Sequence, residues 1–411
     1  MGLKTTIVKY DIPTISEEAK KRKLTNPNTI NGTLGTFYYD DEKFKAYETV
    51  KKVMNSLEDV DYYSYSPTSG GALFEQSVIK WVFKSSVSKV KETTNIKAVA
   101  VAGGTGSLLL SMLEIMEPGE GILIADLCWA PYITMCEVNN FEAVRYSMFN
   151  DELKFNLVEF KQKCLEMLTH QDSVNVLIND PCNNPTGYSL TMDEFNEIMK
   201  FFDSLNRPVN ILYDTAYADY CSDQQEVLDK LEILANLNNK ITTFICFSAS
   251  KTFCSYGVRL GAQLIMSKNS EIVDTLYKRS CILCRTHWSN VSKAGISMFN
   301  RLVNSEELKE EFFKELYFCK SQLDNRIKTF MEEAKECGLA VYACNGGFFT
   351  SVPTTDPSFV YDRLREHDIF LVPLEGAIRV ALCSIPIHQV KGLAKILKDV
   401  IDQVPNQNEY D

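Results

Sequence analysis

Lys251 stands directly after an apolar run, Thr243 to Phe247, in the segment Ser248-Ala249-Ser250-Lys251. An isolated lysine is ordinarily a solvated surface residue. At the end of a buried strand, desolvation favours the neutral amine, which can act as a nucleophile and then as a base. Four other apolar runs end on residues of equal interest. Ala98 to Ala102 leads into Gly103-Gly104-Thr105-Gly106, and Gly121 to Ala125 leads to Trp129. Val174 to Ile178 is followed by Asn183-Asn184-Pro185-Thr186-Gly187, and Val209 to Tyr213 by Asp214 and Tyr217. Ligands of an open parallel sheet bind outside the carboxyl ends of its strands. Five such ends could together hold a phosphate, an aromatic ring and a charged ring nitrogen. Each piece also has an ordinary reading: Asp214 as a helix N-cap, Asn-Pro-Thr-Gly as a turn, Trp129 as core.

The glycine-rich turn after the first run offers backbone N–H groups and a helix N-terminus to a phosphate. It lacks a third glycine at the Rossmann spacing and a Walker lysine, so neither nicotinamide nor ATP is supported. Cys281 and Cys284 form a lone Cys-x-x-Cys with His287 nearby; no second pair follows at zinc-site spacing, and no metal is expected. Arg379 interrupts the apolar Ala377-Ile378-Arg379-Val380-Ala381-Leu382, where an unpaired charge is costly, so a carboxylate partner is expected.

The elements that must position these residues are legible from the pattern. Between Ala98 and Gly261, short apolar runs alternate with polar or glycine-rich breaks and stretches of helical spacing, which reads as strands and helices around a mostly parallel sheet. Thr191 and Glu194 make a capping box, and Phe195, Ile198, Met199 and Phe202 then recur at helical spacing. From Asn304 to Cys337 the charged stretch containing Leu308, Phe312, Phe313, Leu316 and Phe318 predicts one long helix of roughly 50 Å, stopped by Gly338. Beyond it, Leu339 to Tyr342, Phe348 to Val352 and Ile378 to Leu382 read as strands and Val390 to Ile401 as a helix, with the N-terminal arm packing on the same unit. The organisation expected is an arm over 1–45, a large α/β domain over 46–303, and a linking helix with a smaller α+β domain over 304–411. The polar tail after Pro405 is expected to fray.

Composition limits the function classes. The 411 residues carry 45% hydrophobic and 24% charged side chains, with no low-complexity tract, so the chain should fold throughout. A net charge of -11 without a Lys/Arg-rich run argues against nucleic acid or an anionic membrane as partner. No run approaches the ~18 apolar residues needed to cross a bilayer, and Met1 to Lys23 has no signal-peptide pattern. Thirteen cysteines, an odd number in apolar surroundings, fit reduced thiols and a cytoplasmic location.

The lysine segment, followed by Tyr256-Gly257-Val258-Arg259-Leu260-Gly261, resembles that of the fold type I pyridoxal phosphate enzymes, and in particular the class I aminotransferases of the aspartate aminotransferase group. The resemblance covers almost the whole chain. It implies that Lys251 is the Schiff-base lysine of pyridoxal 5'-phosphate. It further implies that Asp214 pairs with the pyridine nitrogen and that Tyr217 and Asn184 donate to the phenolic oxygen. Trp129 would stack on the ring, and Gly104, Thr105, Ser248, Ser250 and Arg259 would bind the phosphate. Tyr65, in Tyr65-Ser66-Pro67-Thr68-Ser69-Gly70, matches a tyrosine that reaches the phosphate across a dimer interface, which implies a homodimer.

For the substrate, Arg379 resembles the arginine that clamps the α-carboxylate. Arg285 lies as far beyond Lys251 as the arginine that receives a dicarboxylic side chain from the other subunit, and Gly35 resembles the arm glycine that closes over the substrate. Where the family often has histidine, three residues after Trp129, this chain has Tyr132. The reaction implied is ping-pong transfer of an amino group between an amino acid, aspartate or glutamate or else an aromatic one, and a 2-oxo acid. A carbon–sulfur lyase on the same fold is disfavoured by Trp129 and Arg285. A non-catalytic regulatory protein is disfavoured because the arm leaves no room for a DNA-binding domain.

Overall fold

The computed structural model describes residues 11–405. The tail beyond Pro405 lies outside the described residues, as do the first ten residues of the N-terminal stretch. The chain divides into two compact units. The larger comprises 46–183 and 189–318; the smaller holds the arm up to Lys45, the short piece Asn184–Tyr188 and everything from Cys319 on. In chain order the strands are β1 Ile30–Asn31, β2 Asn95–Val101, β3 Gly121–Ala125, β4 Glu142–Tyr146, β5 Val174–Asn179 and β6 Val209–Asp214. They continue as β7 Ile241–Ser248, β8 Gly261–Ser267, β9 Thr350–Pro353, β10 Ile369–Phe370, β11 Val372–Leu374 and β12 Ala377–Val380.

The larger unit is built on a seven-stranded sheet of order β2-β8-β7-β6-β5-β3-β4. The five apolar runs singled out in the sequence become β2, β3, β5, β6 and β7. Every residue of β3, β5 and β7 is buried, as expected of strands covered on both faces. Two strands were not anticipated. The half-exposed β4 has little apolar signal, and β8 carries Gln263 at its centre. Gln263 is tolerated at 0% exposure because its amide donates to Ser111 Oγ at 2.9 Å and Glu114 Oε2 at 3.0 Å and accepts from Ser280 Oγ at 2.7 Å. Antiparallel to both, β8 joins β7 to the edge strand β2. The helix Met192–Ser204 has the reciprocal Thr191/Glu194 capping box, and Phe195, Ile198, Met199 and Phe202 are its buried face.

In the smaller unit β9, β11 and β12 form an antiparallel sheet, and β1 of the arm pairs in parallel with β10. Arg326, fully buried, ties the arm to the C-terminal segment by donating to Asp40 Oδ1 at 2.8 Å and to the carbonyls of Leu382 and Cys383 at 3.2 and 3.1 Å. The long helix runs Glu306–Cys337, and the division between the units falls within it.

Three expected elements differ. Leu339 to Tyr342 is not a strand. Only Tyr342 N–H reaches Ser351 O, at 3.2 Å, before Gly346 and Gly347, both at positive φ, turn the chain. The strand expected from Phe348 therefore begins at Thr350. The C-terminal helix is two pieces, Ile387–Val390 and Leu393–Ile401, because Gly392 takes a left-handed φ of 83° between them.

Beneath the sheet, burial pushes the Glu114 carboxyl up to about 7, against the hydrogen bonds from Ser280 and Gln263 that hold it down. A carboxyl whose folded pKa is raised binds a proton more tightly folded than unfolded. Its contribution is therefore present at acid pH and is lost as pH rises from about 4.5 through about 7. Glu114→Gln should flatten this slope and stabilise the protein at pH 8 by on the order of 2 kcal/mol, measured by denaturant unfolding across pH.

Candidate active site

The parallel register places Asn179 opposite Asp214 and Asp214 opposite Cys246. Chain leaving β5, β6 and β7 therefore departs from one edge. Lys251 sits in the four-residue helix Ala249–Thr252 that begins where β7 ends. Its neighbours anchor this turn on every side. Ser248 Oγ accepts from Ser250 N, Thr252 Oγ1 donates to Asp219 Oδ2 at 2.9 Å, and Phe253 stacks on Phe312 at 4.8 Å. Tyr220 Oη donates to the Lys251 carbonyl at 3.1 Å. The amine lies 4.9 Å from the centre of the Tyr256 ring and 5.8 Å from that of Tyr217.

Asp214, the last residue of β6, is 5% exposed. Burial raises its pKa, opposed first by the Tyr132 hydroxyl, then by the Ala216 N–H and the charge of Lys251. Tyr132 Oη donates to Asp214 Oδ2 at 2.6 Å, and Trp129 meets the Tyr132 ring edge-on at 5.4 Å. Tyr217 is buried beside this group. Lys251, Asp214, Tyr217 and Trp129 thus come together in the larger unit, and the structure adds Tyr132, Tyr220 and Tyr256. Tyr132 left a signal in the sequence as a departure from the resembled pattern, and Tyr256 as the first residue of the segment that carries the resemblance. Tyr220 is an ordinary aromatic residue until the fold buries it.

A cationic cradle adjoins Lys251. Gly103 opens the helix Gly103–Ile115, whose first-turn N–H groups have no intrahelical partners. Arg259, in the left-handed region at φ 55°, donates to Ser250 Oγ at 3.0 Å and to the Tyr256 carbonyl at 2.9 Å. A Cβ on Gly103, which has φ 74°, would stand 2.5 Å from Arg259 Nη2; one on Gly261 would stand 2.5 Å from the Gly103 carbonyl carbon. Gly104 and Ser248 face each other across the same turn, whereas the Thr105 side is exposed. An arginine, two serine hydroxyls and a helix N-terminus suit a phosphate. With the lysine amine, the buried carboxylate and the flanking aromatic rings, this set fits a phosphorylated pyridine aldehyde.

The remaining predicted residues belong to the smaller unit or to the exposed surface of the larger one. Arg379, 6% exposed on β12, belongs to the smaller unit; it donates to Thr33 O at 2.6 Å and Asn184 Oδ1 at 3.4 Å, and lies over the Phe349 ring at 4.6 Å. These contacts are a backbone carbonyl, a side-chain amide oxygen and an aromatic face. A guanidinium is a planar donor suited to a carboxylate. Gly35 is two residues beyond Thr33 in the same unit. The ends of the Asn184 loop are pinned by Asp180, whose carboxylate accepts from Leu190 N at 2.8 Å, Tyr213 Oη at 2.6 Å and the buried Lys230 Nζ at 3.1 Å. Tyr65 is 87% exposed, and Arg285 is exposed at the end of the helix Ser270–His287, where it donates to Ser289 Oγ at 2.6 Å. Cys284 turns inward against β2, Sγ to Ala100 O at 3.8 Å, and among the described residues no His/Cys/Asp/Glu group is arranged to hold a metal.

The family described as aminotransferase class I and II matches residues 29–397. An aspartate aminotransferase of Pseudomonas aeruginosa is 25% identical over 71% of this chain and 72% of its own length. The aromatic-amino-acid aminotransferase of Escherichia coli is 21% identical over 90% and 93%. Among solved structures, an aminotransferase of Anaerococcus prevotii superposes with a TM-score of 0.93 at 27% identity, covering 98% of this chain and all of that one. An aromatic-amino-acid aminotransferase of Burkholderia pseudomallei, covalently bound to pyridoxal phosphate, has a TM-score of 0.80 at 21% identity, covering 98% of this chain and all of its own. The chain belongs to the class I and II aminotransferase family and is a pyridoxal 5'-phosphate-dependent aminotransferase with the fold type I architecture.

The cradle allows a direct test. In Gly103→Ala the new methyl must displace either the Arg259 guanidinium or the backbone, in a conformation an L-residue avoids. The dissociation constant for pyridoxal phosphate, from absorbance titration of the stripped protein, should rise at least tenfold.

Proposed function

We propose that the enzyme transfers the amino group of a dicarboxylic amino acid, aspartate or glutamate, to a 2-oxo acid, with Lys251 as the catalytic residue. The observation that carries this reading is the placement of Lys251 on a short, rigidly anchored helix, beside the Arg259–Ser250–Gly103 cradle and the buried Asp214. When bound, the cofactor supplies an electron sink for the substrate's α-carbon. Lys251 Nζ would hold the cofactor and, as a free amine, would take the substrate's α-proton as a base. Asp214 keeps the ring nitrogen protonated. Tyr217 and Asn184 donate to the phenolic oxygen, and Trp129 covers the ring.

Gly104, Thr105, Ser248, Ser250 and Arg259 bind the phosphate, joined by Tyr65 of a second copy in a homodimer. Support for that assembly comes from the exposed apolar side chains Val60, Tyr63, Tyr65 and Leu73 within one short segment. This segment is tied to the one carrying Arg285, for Asn290 Nδ2 donates to Ser66 O at 2.6 Å and Arg285 Nη1 to Asn290 Oδ1 at 3.3 Å. Arg379 receives the α-carboxylate, Arg285 of the second copy the side-chain carboxylate, and Gly35 lines the arm over the substrate. Among the described residues no helix is long and apolar enough to cross a membrane, and we place the enzyme in the cytoplasm, where its thirteen free cysteines stay reduced.

An amino-donor panel with 2-oxoglutarate tests the substrate assignment. Arg285→Ala should lower kcat/KM for aspartate about a hundredfold, the loss of a charged hydrogen-bonded pair, and leave aromatic donors within a few-fold. An unchanged preference would make Arg285 an ordinary surface residue. Mixed dimers of Lys251→Ala and Arg285→Ala chains should regain aspartate turnover at one site per dimer, because each intact Lys251 then meets an intact Arg285 from its partner. Lys251→Ala alone should abolish turnover and covalent retention of the cofactor.

A further inference from the structure

Asp214 has to stay ionised in a place that disfavours charge. It is 5% exposed, and its carboxylate has two hydrogen-bond donors on the protein: Ala216 N–H to Oδ1 at 3.0 Å and Tyr132 Oη to Oδ2 at 2.6 Å. The first is backbone and any sequence would supply it. The second is a side-chain choice, made at the position where related aminotransferases often carry histidine. We propose that Tyr132 is a positioning residue for the aminotransferase reaction: its hydroxyl holds Asp214 as the carboxylate that keeps the cofactor's ring nitrogen protonated. This rests on the role assigned to Asp214 above.

The geometry makes the hydroxyl separable from the ring. Tyr132 is 1% exposed at the start of the helix Pro131–Asn139; its N–H bonds Trp129 O at 2.9 Å and its ring packs edge-on against Trp129. Packing therefore holds the ring, and Oη contributes only the bond to Asp214. Two acceptors compete for the proton between ring nitrogen and carboxylate. A carboxylate that already accepts a short hydrogen bond is the weaker base, so the proton rests on the ring.

A phenol suits this task differently from an imidazole. Burial first, then the Asp214 charge, hold the Tyr132 hydroxyl well above its ordinary 10.0, so it keeps its proton through the physiological range. An imidazole would change charge in the physiological range. The other titratable groups facing this pair are Lys251 from the helix after β7, Tyr217 from the loop after β6, Cys246 on β7, and Cys128 ahead of the Tyr132 helix. Burial pushes the Cys246 thiol far up, so it stays neutral.

The test compares the wild-type holoenzyme with Tyr132→Phe, Tyr132→His and Asp214→Asn. Tyr132→Phe should weaken pyridoxal phosphate binding, measured without turnover, about tenfold. It should lower kcat by about the same factor, leave KM for the amino donor within twofold, and move the acid limb of the kcat–pH profile to higher pH. Tyr132→His, which restores a donor, should recover most of kcat at pH 8 but show a new dependence near the histidine range. Wild-type affinity and an unmoved acid limb in Tyr132→Phe, while Asp214→Asn loses both, would overturn the proposal and leave Tyr132 as packing. If Asp214→Asn itself behaves as wild type, the assignment of Asp214 fails and the proposal falls with it.

Discussion

The parallel pairing of β5, β6 and β7 is the constraint on which the cofactor site depends. Because the register sets Asn179 level with Asp214 and Asp214 level with Cys246, whatever each strand carries in the next few residues emerges at one edge. A slip of one residue would turn alternate side chains to the other face. Asp214 would then leave the Tyr132 hydroxyl, and β7 would deliver its turn at the wrong height. The buried apolar faces of these strands make such a slip expensive, so the chemistry inherits its precision from the packing of Val176, Ile211, Leu212, Phe244 and Ile245, all of them buried.

Around that edge, charge is managed by hydrogen bonding more than by ion pairs. Asp214 is held by a phenol and an amide, and Arg259 by a serine hydroxyl and a carbonyl. Such partners orient a charged group while leaving its charge available to a ligand, which a neighbouring counter-ion would not. Where a true buried pair occurs, Lys230 with Asp180 at 3.1 Å, it lies in the pin of the Asn184 loop and performs a structural task.

Much of this was legible in the sequence because the informative residues follow strongly apolar runs. Lys251, Asp214, Trp129 and the Gly103–Gly106 turn each stand next to a strand that periodicity and composition mark clearly. What escaped notice had weak local signal. β8 carries a buried glutamine whose partners, Ser111, Glu114 and Ser280, come from distant parts of the chain. Leu339 to Tyr342 has strand composition, yet it lies outside the ladder, and Gly346 and Gly347, both at positive φ, turn the chain before β9 begins.

The sequence by itself pointed to the kind of chemistry, since the lysine segment and the residues that follow four other apolar runs resemble those of the pyridoxal phosphate enzymes. Only the tertiary structure decided how the aspartate is held. From the chain alone Tyr132 was an unexplained replacement, 82 residues from Asp214. The fold converts it into the nearest hydrogen-bond donor, because a helix after β3 and the end of β6 meet beside the same buried carboxylate. Local spacing can announce which residues are reactive. Which neutral group sets their charge depends on contacts between distant segments, and those exist only once the core has packed.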